Sequence, residues 1–178
     1  MTEPLRSQSV TDRELAEECR QARPDALAHL YRRYAGELLR LGTRITGSRA
    51  DAEDLLHDLF IGLPELLSRY EERGRLDAWL RGVMTRMSVH LVRKNTRRDR
   101  SLEIEMESPD AHDPAARVDI ENAIARLPDS ERMALVLRHF EGHSHEEIAS
   151  ILGISPGAAR VRYVRALRHL KDKLGAGS

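Results

Sequence analysis

Leu27, Leu30, Tyr34, Leu38 and Leu41 recur at steps of three and four along "PDALAHLYRRYAGELLRLGTRI". That spacing puts one apolar stripe on one side of a helix. The next segment repeats the pattern with Ala52, Leu55, Leu56, Leu59 and Leu63, and Ser48 stands where it can cap this helix with Asp51. Pro64 breaks or kinks that helix unless it starts a new turn. Leu76, Trp79, Leu80, Val83, Met84, Met87 and Leu91 predict the inward face of a further helix. Upstream, Thr11 and Glu14 match a capping box that opens a short first helix. No segment alternates apolar and polar residues as a half-buried strand does, so an all-α fold is expected.

A second set of helical patterns follows residue 115. "DIENAIARL" is amphipathic and stops at Pro128, and "SERMALVLRHFEG" is expected to end at Gly142 as its C-cap. "SHEEIASIL" opens with a capping box, Ser144 to Glu147. "GIS" then turns the chain, Ser155 is an N-cap, and Pro156 takes the first helical position, where a missing N–H is harmless. A short helix, a glycine turn and a second helix form the helix-turn-helix plan. Ile148, Ala149 and Leu152 face inward, Gly153 permits the turn, and Ile154 plugs the gap. Ala159 is small at the crossing, and Tyr163, Ala166, Leu170 and Leu174 continue the stripe. The opposite side carries Ala158, Arg160, Val161, Val164, Arg165 and Arg168. Arginine can bridge guanine O6 and N7 in the major groove, and valine can pack on thymine methyls. The competing reading is a plain helical hairpin with a solvated Arg-rich surface. Agreement of caps, turn and core favours DNA binding.

Charge sharpens this. The 178 residues carry 29 basic and 29 acidic groups, yet they are segregated. From Arg81 to Arg100 there are seven basic residues and one acid; from Ser101 to Glu121, seven acids and one base; from Ser155 onward, six bases and one acid. Two basic patches flanking an acidic stretch suggest two contacts with one polyanion. "SLEIEMESPDAHDPAA" reads as a flexible linker, which divides the chain into residues 1–98, a linker at 99–114, and residues 115–178. The composition, 40% hydrophobic and only 4% aromatic, suits small helical cores. Cys19, the single cysteine, excludes an internal disulfide, and no apolar run predicts a signal peptide or a membrane span. His139, His143 and His145 straddle a helix end and a turn with no cysteine nearby, so surface histidines are expected and no metal. There is no nucleophile constellation, phosphate loop or acid/base pair, and neither an enzyme nor a cofactor is expected.

"LPDSERMALVLRHFEGHSHEEIASILGISPGAARVRYVRALRHL" resembles the fourth conserved region of bacterial RNA polymerase sigma factors. "DALAHLYRRYAGELLRLGTRITGSRADAEDLLHDLF" with "RGRLDAWLRGVMTRMSVHLVRKNTRR" resembles their second. A short linker replaces the third, the layout of the small extracytoplasmic-function (ECF) sigma factors. The resemblance implies a region 2 bundle and a region 4 helix-turn-helix that recognise the minus-10 and minus-35 promoter elements. It implies minus-35 contacts by Ala158, Arg160, Val161, Arg162, Val164, Arg165 and Arg168. It implies minus-10 contacts by Trp79, Arg81, Arg86, Val89, His90, Arg93 and Lys94, though the helical spacing of Trp79 also fits the core. Arg86, His90 and Val161 differ from residues common at those places in the family, so base preference is this chain's own. In "DAEDLLHDLF", Asp51, Asp54 and Asp58 share one helix face. The resemblance makes that segment, with Glu53, Leu55 and Phe60, the grip on the clamp helices of the β′ subunit, and region 4 the partner of the β flap. It further implies a cytoplasmic, nucleoid-associated protein controlled by an anti-sigma factor that can hold it at the membrane.

Two alternatives remain at this level: a freestanding helix-turn-helix regulator, and a sigma-like decoy that binds an anti-sigma factor. The acidic linker is either a solvated tether or a strand that lies against the basic faces. In the second case, replacing Glu103, Glu105, Glu107, Asp110 and Asp113 with Gln or Asn raises the isolated protein's affinity for promoter duplex at low salt. The gain fades as screening shortens toward about 8 Å at physiological salt. Unchanged low-salt affinity in a salt titration identifies a tether.

Overall fold

A computed structural model describes residues 11–21, 23–71, 74–102 and 120–175. Among these residues the chain is helical, without strands. The first five helices are α1 (Asp12–Arg20), α2 (Pro24–Thr46), α3 (Arg49–Ile61), α4 (Leu63–Ser68) and α5 (Leu76–Leu102). The last four are α6 (Ile120–Ala125), α7 (Asp129–His139), α8 (His145–Leu152) and α9 (Pro156–Gly175). None is long and apolar enough to cross a membrane.

Helix α2 is the axis of the first half. Its stripe of Leu30, Tyr34, Leu38, Leu41 and Ile45 is buried, and it packs against α1, α3 and α5. The Tyr34 hydroxyl donates to Asp12 Oδ2 at 2.6 Å, and burial together with that carboxylate pushes the phenol pKa up. Arg20 ties α1 to the end of α4, donating to the carbonyls of Leu67 and Tyr70, both at 2.9 Å. Thr11 and Glu14 form the expected capping box, and Ser48 Oγ accepts the Asp51 N–H. Pro64 opens a new helix: α3 stops at Ile61, and the proline sits in the first turn of α4.

In the second half, α7 is buried all round from Glu131 to Leu137. It meets α8 and α9 on one side and α2 on the other, so no face is left for water. Its two buried charged residues are both partnered: Glu131 meets His169 Nδ1 at 2.6 Å, and Arg132 reaches into the first half.

Two boundaries differ from the sequence reading. Helix α7 ends at His139 with Phe140 as its cap, before Gly142. The glycine instead supplies a left-handed turn (φ 74°) that lets the His143 N–H return to the Leu137 carbonyl. Helix α5 runs on to Leu102, past the expected domain edge at residue 98. The rest of the expected linker lies outside the described residues.

Because α7 belongs to both interfaces, Leu137→Ala is expected to lower stability by about 2–5 kcal/mol. Loss of the α8 cap in Ser144→Ala is expected to cost about 1 kcal/mol. Urea unfolding followed by helical circular dichroism measures both, and the two variants should keep that order.

Candidate nucleic-acid interface

Local chemistry fixes the α8–turn–α9 unit. Ser144 and Glu147 bond reciprocally across the first turn of α8. Gly153 closes α8 in a left-handed conformation (φ 60°), and the Ile154 N–H returns to the Ala149 carbonyl at 3.0 Å. Ser155 Oγ accepts the Ala158 N–H at 3.2 Å, starting α9. Ile148, Ala149, Leu152, Ala159, Ala166 and Leu170 are buried, so the unit is held by an apolar core. Its outer surface is unusual: Val161 and Val164 are 48% and 47% exposed, flanked by exposed Arg160, Arg165 and Arg168. These five share one side of α9. Ala158 and Arg162 are only half-exposed. Arg162 turns away from that side, into a small cleft shared with Arg93, Arg97 and Asp129.

The second basic patch lines a cleft of about 990 Å³ along α5. Arg81, Arg86, His90, Arg93 and Lys94 all contribute to it. Its far wall comes from the other half of the chain: Glu141, His143, Ser150 and Ile151. Arg81 donates to Glu141 Oε2 through Nε at 3.1 Å and Nη2 at 3.0 Å. Of the residues expected in this site, Trp79 lies outside the cleft lining and Val89 within it. Trp79 is half-buried, its ring tilted against Tyr70 at 4.9 Å, and Val89, 4% exposed, adds only wall area. Thr85, also buried on the cleft, has a hydroxyl without a hydrogen-bond partner in the structure.

On α3, Glu53, Asp54 and Asp58 are exposed, Asp51 and Leu55 are half-exposed, and Glu53 pairs with Arg49 at 2.8 Å. Phe60 is buried (5% exposed), held edge-on against Tyr31 at 4.9 Å. The sequence reading missed two neighbours, Ile61 and Tyr31, which are 66% and 48% exposed. Ile61 continues the Asp54–Asp58 side of α3 at helical spacing, a period that was legible from the sequence.

The Sigma-70 region 2 family matches residues 30–98, and the Sigma-70 region 4 family matches residues 117–170. The RNA polymerase sigma factor CarQ of Myxococcus xanthus is 33% identical, over 89% of this chain and 95% of its own length. The ECF RNA polymerase sigma factor SigE of Mycolicibacterium smegmatis is 32% identical over 89% of this chain, which spans 65% of that protein. Among solved structures, the sigma factor RpoE of Bartonella quintana, in complex with the anti-sigma factor NepR, shares the fold with a TM-score of 0.59. It is 24% identical and covers 83% of this chain and 96% of its own.

Arg165 and Arg168 stand at different depths along α9, which predicts different behaviour on DNA. Arg165 lies one turn nearer the N-terminal end, the part of such helices that enters the groove. Arg165→Ala is expected to lose about 1–3 kcal/mol on the preferred duplex and to relax base preference. Arg168→Ala is expected to weaken all duplexes alike and to flatten the salt dependence. Binding measured across salt and sequence checks this, and identical behaviour of the two variants refutes it.

Proposed function

The chain belongs to the ECF RNA polymerase sigma factors, and from that premise we propose how its surfaces divide the work of a promoter-specificity subunit. The α9 side with Arg160, Val161, Val164 and Arg165 reads the minus-35 element as duplex. The single observation that carries this is the pair of valines, nearly half exposed between arginines on a capped, rigid helix. Apolar side chains there gain contact with thymine methyls, and the arginines meet guanine edges or phosphates.

The α5 surface with Arg81, Arg86, His90, Arg93 and Lys94 holds the displaced minus-10 strand. Opening a duplex costs stacking, and a basic groove offsets part of that cost along the phosphates. Trp79 and Val89 support this surface from within. Region 2 spans residues up to about 98 and region 4 those from about 115.

The acidic side of α3, with Asp54, Asp58 and the neighbouring Ile61 and Tyr31, grips the clamp helices of the polymerase β′ subunit, and region 4 meets the β flap. Exposed carboxylates around an apolar patch suit an Arg-bearing partner, where the charges set orientation and on-rate. The protein works in the cytoplasm at the nucleoid, under an anti-sigma factor. The fold it shares with an RpoE solved beside NepR supports that last point.

Run-off transcription with core polymerase tests the reading as a whole. For the α3 side, the double variant Asp54→Arg, Asp58→Arg is expected to slow association with core polymerase by about tenfold at low salt. Its unfolding midpoint should stay close to the parent's. Biolayer interferometry on immobilised core supplies the rate, and parental association places the polymerase grip elsewhere.

A further inference from the structure

A second cleft, of about 450 Å³, lies where α5, the start of α7 and the α8–α9 turn come together. Its rim is cationic. Arg93 and Arg97 enter it from α5, and Arg162 enters from α9. One carboxylate faces them, that of Asp129, and it is already engaged. Its Oδ1 accepts Arg132 Nη2 at 2.6 Å, and its Oδ2 accepts the Thr96 hydroxyl at 3.3 Å. Among the described residues, neither Arg93 nor Arg162 has an ion-pair partner. Arg93 lies close against the turn, since a Cβ on Gly153 would stand 3.4 Å from its Nη2. Guanidiniums gathered in one recess repel, and salt screens such charges only beyond about 8 Å. An anion between them turns that repulsion into attraction.

The recess offers an anion more than charge. Helix α7, eleven residues long, starts here at Asp129 and Ser130, and no side chain caps it. The first N–H groups of a helix lack intrahelical acceptors and carry the positive end of its dipole. Ser130, half-exposed on the rim, adds a hydroxyl donor. Guanidinium forks and helix N-termini both suit the oxygens of phosphate. Met133, Leu152 and Ile154 give the same recess an apolar floor. Its volume falls within the range of about 300–1,000 Å³ common for small-molecule sites.

We propose that this cleft binds a small polyphosphate, free or as the tail of a nucleotide. Arg93, Arg97 and Arg162 take up its charge, and the start of α7 receives its terminal oxygens. Arg162 thereby has a partner that DNA does not supply, because it stands off the side of α9 proposed for duplex. The site is built from residues of this chain alone and does not rest on the sigma-factor reading.

Arg93 and Arg97 also line the larger cleft, so the test is placed on Arg162 and Ser130, which line only this one. Isothermal titration calorimetry of the full chain with inorganic tripolyphosphate, without magnesium, should show saturable binding of one anion per chain. Arg162→Gln should weaken it by about tenfold, as the loss of a charged hydrogen-bonding group does. Ser130→Asp puts a carboxylate where the anion sits and should weaken it at least as much. That substitution suits a helix N-terminus, so it carries the test if Arg162→Gln loses helical circular dichroism. Lys171→Gln removes the same charge from an exposed position on α9 outside the cleft and should change affinity by less than twofold. A second arm uses ATP. Tighter binding of ATP than of tripolyphosphate assigns the cleft to a nucleotide whose base lies on the apolar floor. Equal affinity assigns it to the phosphate chain alone. Absence of saturable binding overturns the site. So does parental affinity in both cleft variants, or a loss in Lys171→Gln as large as in Arg162→Gln, which marks attraction to the overall charge.

Discussion

A buried guanidinium joined to the end of a helix governs how this protein is put together. Helix α2 stops at Thr46 and leaves carbonyls without intrahelical partners, and that end carries the negative pole of the helix dipole. Arg132 brings a positive charge to that point and satisfies the Ile45 and Thr46 carbonyls. Removing a charge from water is costly, and the geometry is sustained because every N–H of the guanidinium finds an acceptor. Gly47 is part of the same arrangement. It takes the left-handed conformation that ends α2, and its missing side chain leaves space for the arginine.

From this junction the positions of the other surfaces follow. With α7 held against α2, Glu141 comes to Arg81, and the helix-turn-helix forms one wall of the α5 cleft. The outer side of α9 and the acidic side of α3 stay in solvent. The surface proposed for duplex and the surface proposed for core polymerase are therefore both accessible. The surface proposed for the single strand lines a cleft, with Arg86, His90, Arg93 and Lys94 themselves exposed.

Most elements were legible because each rests on local chemistry. The capping boxes at Thr11 and Ser144, the cap at Ser48 and the glycine turn at Gly153 all depend on residues within a few positions of one another. The end of α7 was misplaced because two glycine-compatible outcomes, a cap and a later turn, have the same sequence signature. Arg162 was placed near DNA by resemblance alone; helical spacing leaves it off the Arg160–Arg168 side, and it lines the small cleft with Arg93 and Arg97. Trp79 and Val89 were grouped with the strand-binding residues by resemblance alone, and their burial reflects packing on Tyr70 and the bundle.

The sequence by itself determined the helices, the helix-turn-helix core, the two basic patches and the acidic face of α3. Periodicity, capping and charge order are written along the chain and act over one or two turns. Tertiary structure alone decided that Arg132, one arginine among many in the sequence, is buried 86 residues away from the Thr46 carbonyl it meets. It also decided that Arg81 is held by Glu141, 60 residues distant. No local pattern encodes such pairs, because they depend on where helices distant in sequence touch, and that is set by the matching of surfaces in three dimensions.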